Sequence, residues 1–399
     1  MPGLPKLVSI ALVALLAAPA GAQTLPAPVV GAWEAALQDM RAGRPRAAIP
    51  VLEVLVRDYP GVTAFRLELA LAHFQAQDAA NAAFHFNRAL EGELTDAQRR
   101  QVERHLRAIE ERRDWSTTLS FNIVPESNPG RSSRAETINI GGFDFVIDPP
   151  APSGVGIRLG AGVTYTPRFS RDVSGLLSLS LSSAIYENGD MNDIGLRGEA
   201  GLTVRGDPGR QVTSGLYANR RWLGGDGFSR EHGVFAGFGT RPVPGTSLSL
   251  RGEYGRLSHD TLANRDGSVL RLSGSVSRTV SPQLAVRARL SATRTSAVAD
   301  FNSGKVLGAG VGMTYRFESG WMASGDLNAL RERRDGRSPL FVQTRADTEY
   351  SATLRASNGN FSYRGFTPVL ELGFQRRDSN IALYEFKNTW MGVGFSRTF

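Results

Sequence analysis

The sequence has no cysteine, only three lysines, and no long apolar run after its first two dozen residues. Without cysteine there is no disulfide framework, no thiolate metal site, no thiol nucleophile and no acylated N-terminal cysteine. The lysines are Lys6, Lys305 and Lys387, so arginine carries the net charge of +8. Those arginines are spread along the chain beside 38 acidic residues, with no dense basic block, and a nucleic-acid partner is not expected. The shortage of apolar runs excludes a transmembrane helix beyond the N-terminus, but not a barrel, whose strands alternate and leave a weak hydropathy signal. No zinc-protease helix, calcium loop, phosphate loop or dinucleotide fingerprint is present, and neither metal nor cofactor is expected.

Residues 1–22 read as a secretory signal peptide. Lys6 supplies the positive start, Leu7 to Ala18 is an apolar stretch of 12 residues broken only by Ser9, and Ala20-Gly21-Ala22 places small residues at a cleavage site before Gln23. The stretch is too short to span a bilayer.

Two compositional regimes follow, and they predict an α + β membrane protein. Residues 23–113 are rich in Ala, Leu, Glu, Gln and Arg, with apolar residues at spacings of three and four. Ala36, Ala48, Leu52 and Leu55 recur 34 residues later as Ala70, Ala82, Phe86 and Ala89. That period, with small residues at fixed positions, predicts a tetratricopeptide-like helical solenoid, and Thr95-Asp96 starts a capping helix. The repeat pattern puts Trp33, Leu37, Met40, Leu67, Leu71 and Phe74 on an inner face. They form either a client-binding groove or packing against a neighbouring helix or the rest of the chain.

Residues 114–399 change period to two. Ile157, Leu159, Ala161, Val163 and Tyr165 alternate with Arg158, Gly160, Gly162 and Thr164. Ile194 to Val204 and Leu284 to Ala292 do the same around Arg197, Glu199, Arg287 and Arg289. Runs of about ten residues cross a bilayer at a barrel's tilt. Tight links at 206–209, 243–245, 281–282, 319–320 and 357–359 alternate with longer polar links near 187–192, 224–230, 258–267, 299–304, 335–339 and 376–380. Short turns on one side and long loops on the other predict a transmembrane antiparallel β-barrel of roughly 14 strands, in the outer membrane of a Gram-negative bacterium, with the helical domain in the periplasm. The connection from about Pro125 to Ser153 is the longest and is a candidate to fold into the lumen. Tyr165, Phe317, Trp321, Phe361 and Phe399 fall near the short-turn ends, where an aromatic girdle is expected.

An open sheet edge in hydrocarbon leaves backbone groups unpaired, so the sheet must close and its charged face must turn inward. This assigns Arg197, Glu199, Arg251, Glu253, Arg271, Arg287, Arg289, Arg345, Asp347 and Glu349 to the lumen. The last strand ends on Phe399, with Phe395 on the same face, a terminal pattern that resembles the recognition signal read by the barrel-assembly machinery. Outer-membrane lipid is the expected surrounding. His232 and His259, the latter followed by Asp260, are the only titratable groups near the loop ends that invite a hydrolytic reading, and neither lies in a catalytic motif, so no enzyme is expected.

The stretch from Trp115 to Pro129, through Phe121-Asn122-Ile123 and Glu126-Ser127-Asn128, and the final hairpin from Ser379 to Asn388 resemble the surface lipoprotein assembly modifier (Slam) family. The resemblance implies an outer-membrane translocon whose partners are lipoprotein or secreted protein clients. An exopolysaccharide exporter or a nutrient porin with a periplasmic repeat domain is the alternative.

Overall fold

A computed structural model describes residues 25–398 apart from 91, 93, 113, 134, 141–142, 147–152, 207–208 and 363–365. The expected signal peptide, residues 1–22, and Phe399 therefore lie outside the described residues. The chain divides at Glu110–Glu111 into two compact units.

The first unit is helical: α1 (Ala27–Arg41), α2 (Pro45–Asp58), α3 (Thr63–Gln75), α4 (Ala79–Ala89) and α5 (Asp96–Arg112). The 34-residue repeat is its core. Ala36, Ala48, Leu52, Leu55, Ala70, Ala82, Phe86 and Ala89 are each at most 4% exposed. Small side chains at the crossings let α1 pack on α2 and α3 on α4 without a gap, as close-packed interiors require. The start of α5 is fixed by a reciprocal cap. The Thr95 amide donates to the Gln98 side chain at 2.9 Å, and the Gln98 amide donates to Thr95 Oγ1 at 3.3 Å.

The second unit is a closed barrel of fourteen strands, as the alternating pattern predicts. These are β1 (Trp115–Glu126), β4 (Gly154–Tyr165), β5 (Val173–Tyr186), β6 (Asp193–Gly206), β7 (Arg210–Leu223), β8 (Asp226–Thr240) and β9 (Thr246–His259). They continue with β10 (Gly267–Thr279), β11 (Leu284–Ala297), β12 (Gly304–Arg316), β13 (Trp321–Arg334), β14 (Ala346–Asn358), β15 (Thr367–Ser379) and β16 (Phe386–Thr398). Every strand pairs with its sequence neighbour in the barrel, and β1 closes the ring on β16. A separate hairpin, β2 (Thr137–Ile140) with β3 (Phe143–Val146), sits within the β1–β4 connection and pairs only with itself among the described residues.

Alternation sorts the faces. Leu290, Leu216, Leu307 and Leu354 point outward at 60–68% exposure. Such a belt would be intolerable in water and is ordinary against acyl chains. No described helix is long and apolar enough to cross a membrane. At the end of the barrel where both β1 and β16 have their outer termini, aromatic pairs mark the girdle: Trp115 stacks on Tyr165 at 4.3 Å and Trp321 meets Phe361 edge-on at 6.3 Å.

The structure corrects two of the expected links. The region 224–230 is not a long loop: β7 and β8 join through Gly224-Gly225, both at positive φ (62° and 89°), and β8 starts at Asp226. Two consecutive left-handed residues make the tight hairpin turn that matches strand twist, and only glycine adopts it freely. The link at 357–359 is longer than a tight turn. Strand β14 runs to Asn358 and β15 starts at Thr367, with one helical turn at Gly359–Phe361 between them. The β4–β5 link, 166–172, completes the same side. The long β1–β4 connection exposes Phe143, Phe145 and Val146, and its Ser133 donates to the Ala382 carbonyl of the β15–β16 link at 2.7 Å.

Candidate functional site in the barrel lumen

The inward positions form two ionic ladders. The first lines β6 to β10. Arg197 reaches Glu199 at 2.7 Å and Glu253 at 2.6 Å, and Arg251 reaches the same two carboxylates at 2.8 Å each. Arg271 donates to Glu231 at 2.8 Å, and Tyr217 donates its hydroxyl to Glu231. Guanidinium groups also rest on ring faces: Arg197 on Tyr217 at 4.5 Å and Arg251 on Phe235 at 4.1 Å. The small residue opposite makes room for one of these rings. A Cβ on Gly255 would lie 2.3 Å from the Tyr217 hydroxyl.

The second ladder crosses the closing seam. Arg287 pairs with Asp326 at 2.7 Å, Asp326 lies 3.9 Å from Arg355, and Arg355 pairs with Glu371 at 2.7 Å. Glu371 then accepts from Trp390 Nε1 at 2.7 Å and from Arg158 at 3.4 Å, and Arg158 pairs with Glu126 at 2.7 Å. The chain of contacts thus runs from β15 over β16 and β1 to β4. Glu126 is 5% exposed and also accepts from Tyr186 and, at 2.7 Å, from Asn388 Nδ2. Asn388, 2% exposed, accepts the Asn128 amide at 2.9 Å through its side-chain oxygen. The indole of Trp390 fits here because Gly373 opposite carries no side chain. A Cβ there would sit 1.9 Å from the ring.

Backbone pairing explains why the seam needs this bolt. Between β1 and β16 the register runs from Thr118↔Thr398 to Ile123↔Val393 and then skips to Glu126↔Trp390. Pro125 lies in the gap and has no N–H to donate. Side-chain hydrogen bonds replace the missing ladder bonds at the loop end.

Of the lumen residues expected from sequence, Arg197, Glu199, Arg251, Glu253 and Arg271 come together in the first ladder and Arg287 joins the second. Glu349 stands nearer the loop end, held by Arg377 at 2.7 Å and Gln375 at 2.6 Å. Asp347 pairs with Arg345 at 2.8 Å and accepts from Ser379 at 2.7 Å. Arg345 itself precedes β14 and stacks on Tyr384 of the β15–β16 link, 3.6 Å from its ring centre, so it belongs to the loop layer and not the barrel wall. Arg289 shares the inward parity and has no ion pair among the described residues. Sequence reasoning missed Glu126, Tyr217, Glu231, Asp326, Arg355, Glu371 and Arg377. Their inward parity was readable, but their partners were not.

The histidine reading does not assemble. Asp260 pairs with Arg220 at 2.6 Å and Arg230 at 3.4 Å, and no hydrogen bond joins it to the His259 ring. His259 is buried against the edge of Phe228. His232 shares the outward parity of Ala218, its register partner. No cluster of three or more His, Asp or Glu side chains that could hold a metal occurs among the described residues.

In the helical unit, Met40 and Leu67 are core residues at 8% and 5% exposure. The small-residue crossings draw them inward. Trp33 packs edge-on to Phe65 at 5.3 Å, and Phe74 contacts Phe86 and His105. Trp33, Leu37, Leu71 and Phe74 stay half-buried. Burial pushes the His85 imidazole down to about 3, with His73 and two arginines adding to the effect, while burial pushes Glu68 up to about 7. The His85 ring stacks on His73 at 5.5 Å.

The sequence profile of the surface lipoprotein assembly modifier family matches residues 115–399. Surface lipoprotein assembly modifier 1 of Neisseria meningitidis serogroup B (strain ATCC BAA-335 / MC58) is 25% identical over 378 residues, covering 90% of this chain and 73% of that protein. Among solved structures, the outer-membrane channel DcaP of Acinetobacter baumannii superposes with a TM-score of 0.45 at 11% identity, over 71% of this chain and 96% of that one. A Pseudomonas aeruginosa FadL homologue gives 0.40 at 11% identity, over 80% and 93%. The chain belongs to the surface lipoprotein assembly modifier family.

Proposed function

We propose that this chain is an outer-membrane translocon that helps deliver specific lipoproteins or secreted proteins to the cell surface. The family match carries the reading. The helical domain hangs in the periplasm and captures the client, with Trp33, Leu37, Leu71 and Phe74 as the groove residues still accessible. The barrel then passes the client outward. Two features of the barrel support the orientation. Both β1 and β16 end on the side of the short turns, which in outer-membrane barrels faces the periplasm. The outward Phe395 on the last strand suits recognition by the barrel-assembly machinery during insertion.

The role is one of transport and assembly, without a catalytic step. The test is surface proteolysis of whole cells that lack the gene. At least one lipoprotein or secreted protein is expected to lose its protease accessibility, and the full chain restores it while a chain without residues 23–113 does not. A deletion strain with an unchanged surface profile would overturn the proposal.

A further inference from the structure

The outward face carries a feature that the lumen does not account for. At the loop end, Arg294, Lys305 and Arg333 stand side by side across three strands: Arg294 is the register partner of Lys305, and Lys305 of Arg333. Arg331 lies two residues along β13 on the same face, opposite Leu307. Like charges directly opposite one another weaken a strand pair. Here three adjacent strands accept that cost in one row. The nearest carboxylate is Asp335, which is taken by Arg294 at 2.6 Å. Among the described residues Lys305, Arg331 and Arg333 have no ion-pair partner. All three are exposed.

The position of the row fixes the kind of counterion. On the same strands and the same face, the next outward positions below it are Ala292 and Leu307, level with Arg331, and then come Leu290 at 68% exposure, Ala309 and Ala329, with Leu327 at 59% below them. The cations are therefore the upper continuation of the acyl-facing belt. A ligand that meets both must carry acyl chains and anionic groups in one molecule. Neighbouring strands lie about 4.8 Å apart, so the row spans about 10 Å, enough for two phosphate groups held by long side chains. Arginine and lysine bind phosphate through short charge-assisted hydrogen bonds.

We propose that the outer rim of β11–β13 is a binding site for a phosphorylated lipid of the outer leaflet, with Lys305, Arg331 and Arg333 gripping its phosphates. Arg294 completes the row through its contact with Asp335. The site rests on the barrel's place in the outer membrane and not on client delivery, so the two readings fail separately.

Native mass spectrometry of the full chain in uncharged detergent, titrated with bisphosphorylated lipid A, tests it. The K305Q/R331Q/R333Q variant should bind about a hundredfold more weakly and K305Q about fivefold, on the scale of each cation's attraction to an anionic lipid surface. Arg278→Gln, an outward arginine at the opposite end of the barrel, should bind like the unaltered chain. Dephosphorylated lipid A should bind the unaltered chain as weakly as bisphosphorylated lipid A binds the triple variant, and added salt should weaken the phosphorylated complex. Heat-modified gel mobility reports whether each variant folds. If the triple variant does not fold, K305Q and the dephosphorylated lipid decide. Equal affinity for phosphorylated and dephosphorylated lipid, or full displacement of the lipid by inorganic phosphate, would overturn the proposal.

Discussion

Removing the Glu126 carboxylate should loosen the barrel where it closes. The side chain is 3% exposed and faces three donors: Arg158 at 2.7 Å, Asn388 at 2.7 Å and the Tyr186 hydroxyl. In Glu126→Ala, Arg158 keeps Glu371 at 3.4 Å and the Trp390 ring face at 5.4 Å, and Asn388 loses an acceptor in a site where it is 2% exposed. Breaking a buried pair by deleting one partner costs about 3–5 kcal/mol. Arg158 is itself 30% exposed to the lumen, so water takes back part of that cost and about 3 kcal/mol is the expectation. Glu126→Gln restores the shape but turns an amide N–H₂ toward other donors, and should recover less than half. The assay is urea unfolding in micelles, followed by the loss of the folded gel band, with Glu187→Ala in an exposed loop as the reference. If Glu126→Ala unfolds at the same urea concentration as Glu187→Ala, the bolt is not what holds the seam.

Three further outcomes follow from the same geometry. Because the chain has no cysteine, the register Ser120↔Ser396 is directly testable: Ser120→Cys with Ser396→Cys should form a disulfide in the oxidising envelope, and Ser120→Cys with Arg397→Cys should not. Comparable oxidation of both pairs would mean that the seam slides. Leu290→Arg places a cation on the lipid face and should destabilise the barrel by about 2–4 kcal/mol, while Ser291→Arg, on the lumen side, should cost far less; equal loss in the urea assay would reverse the assignment of faces. In the helical unit, the unfolded chain protonates His85 near 6.5 but the folded one only near 3, so this group removes about 2 kcal/mol as pH falls from 7 to 5. Glu68 acts in the opposite sense, since its folded value of about 7 lies above the unfolded 4.5 and stability rises as pH falls through that window. The opening free energy of α3 and α4, taken from amide exchange corrected for the intrinsic rate at each pH, should therefore be nearly flat with pH in the full chain, rise on acidification in His85→Phe, and fall in Glu68→Gln. Identical pH slopes in all three would refute the assignment.

The faces of this protein were legible because period is a local property. One strand suffices to say that Leu290 and Arg289 point opposite ways, and two copies of a repeat suffice to place Ala36 and Ala70 in a core. The pairings were not legible because each depends on contacts far apart in the chain. Glu253 meets Arg197 from three strands away, and Arg158 meets Glu371 only because the ring closes. The depth of Met40 and Leu67 was not legible for a related reason. A repeat pattern gives the face of a helix, but how deeply that face sinks depends on its neighbour. Gly224-Gly225 is the instructive miss among the turns. Its two glycines signal a tight hairpin, yet the polar residues after it suggest a loop, because β7 and β8 continue past the acyl belt into water.

The distribution of charge bears on what the lumen conducts. The first ladder sets Arg197, Arg251 and Arg271 against Glu199, Glu231 and Glu253. The second sets Arg158, Arg287 and Arg355 against Glu126, Asp326 and Glu371. Each is balanced, so neither wall presents the single-sign field that draws in ions of the opposite charge. The basic excess of the chain is found instead on surfaces such as the outer rim at Lys305, Arg331 and Arg333. A porin for anionic solutes needs the reverse arrangement, with unpaired cations inside. The two ladders satisfy their own charges and favour no sign; Arg289 is an inward cation that stands outside them. That suits the polypeptide client proposed above, since neither ladder would hold a segment of one charge sign tightly.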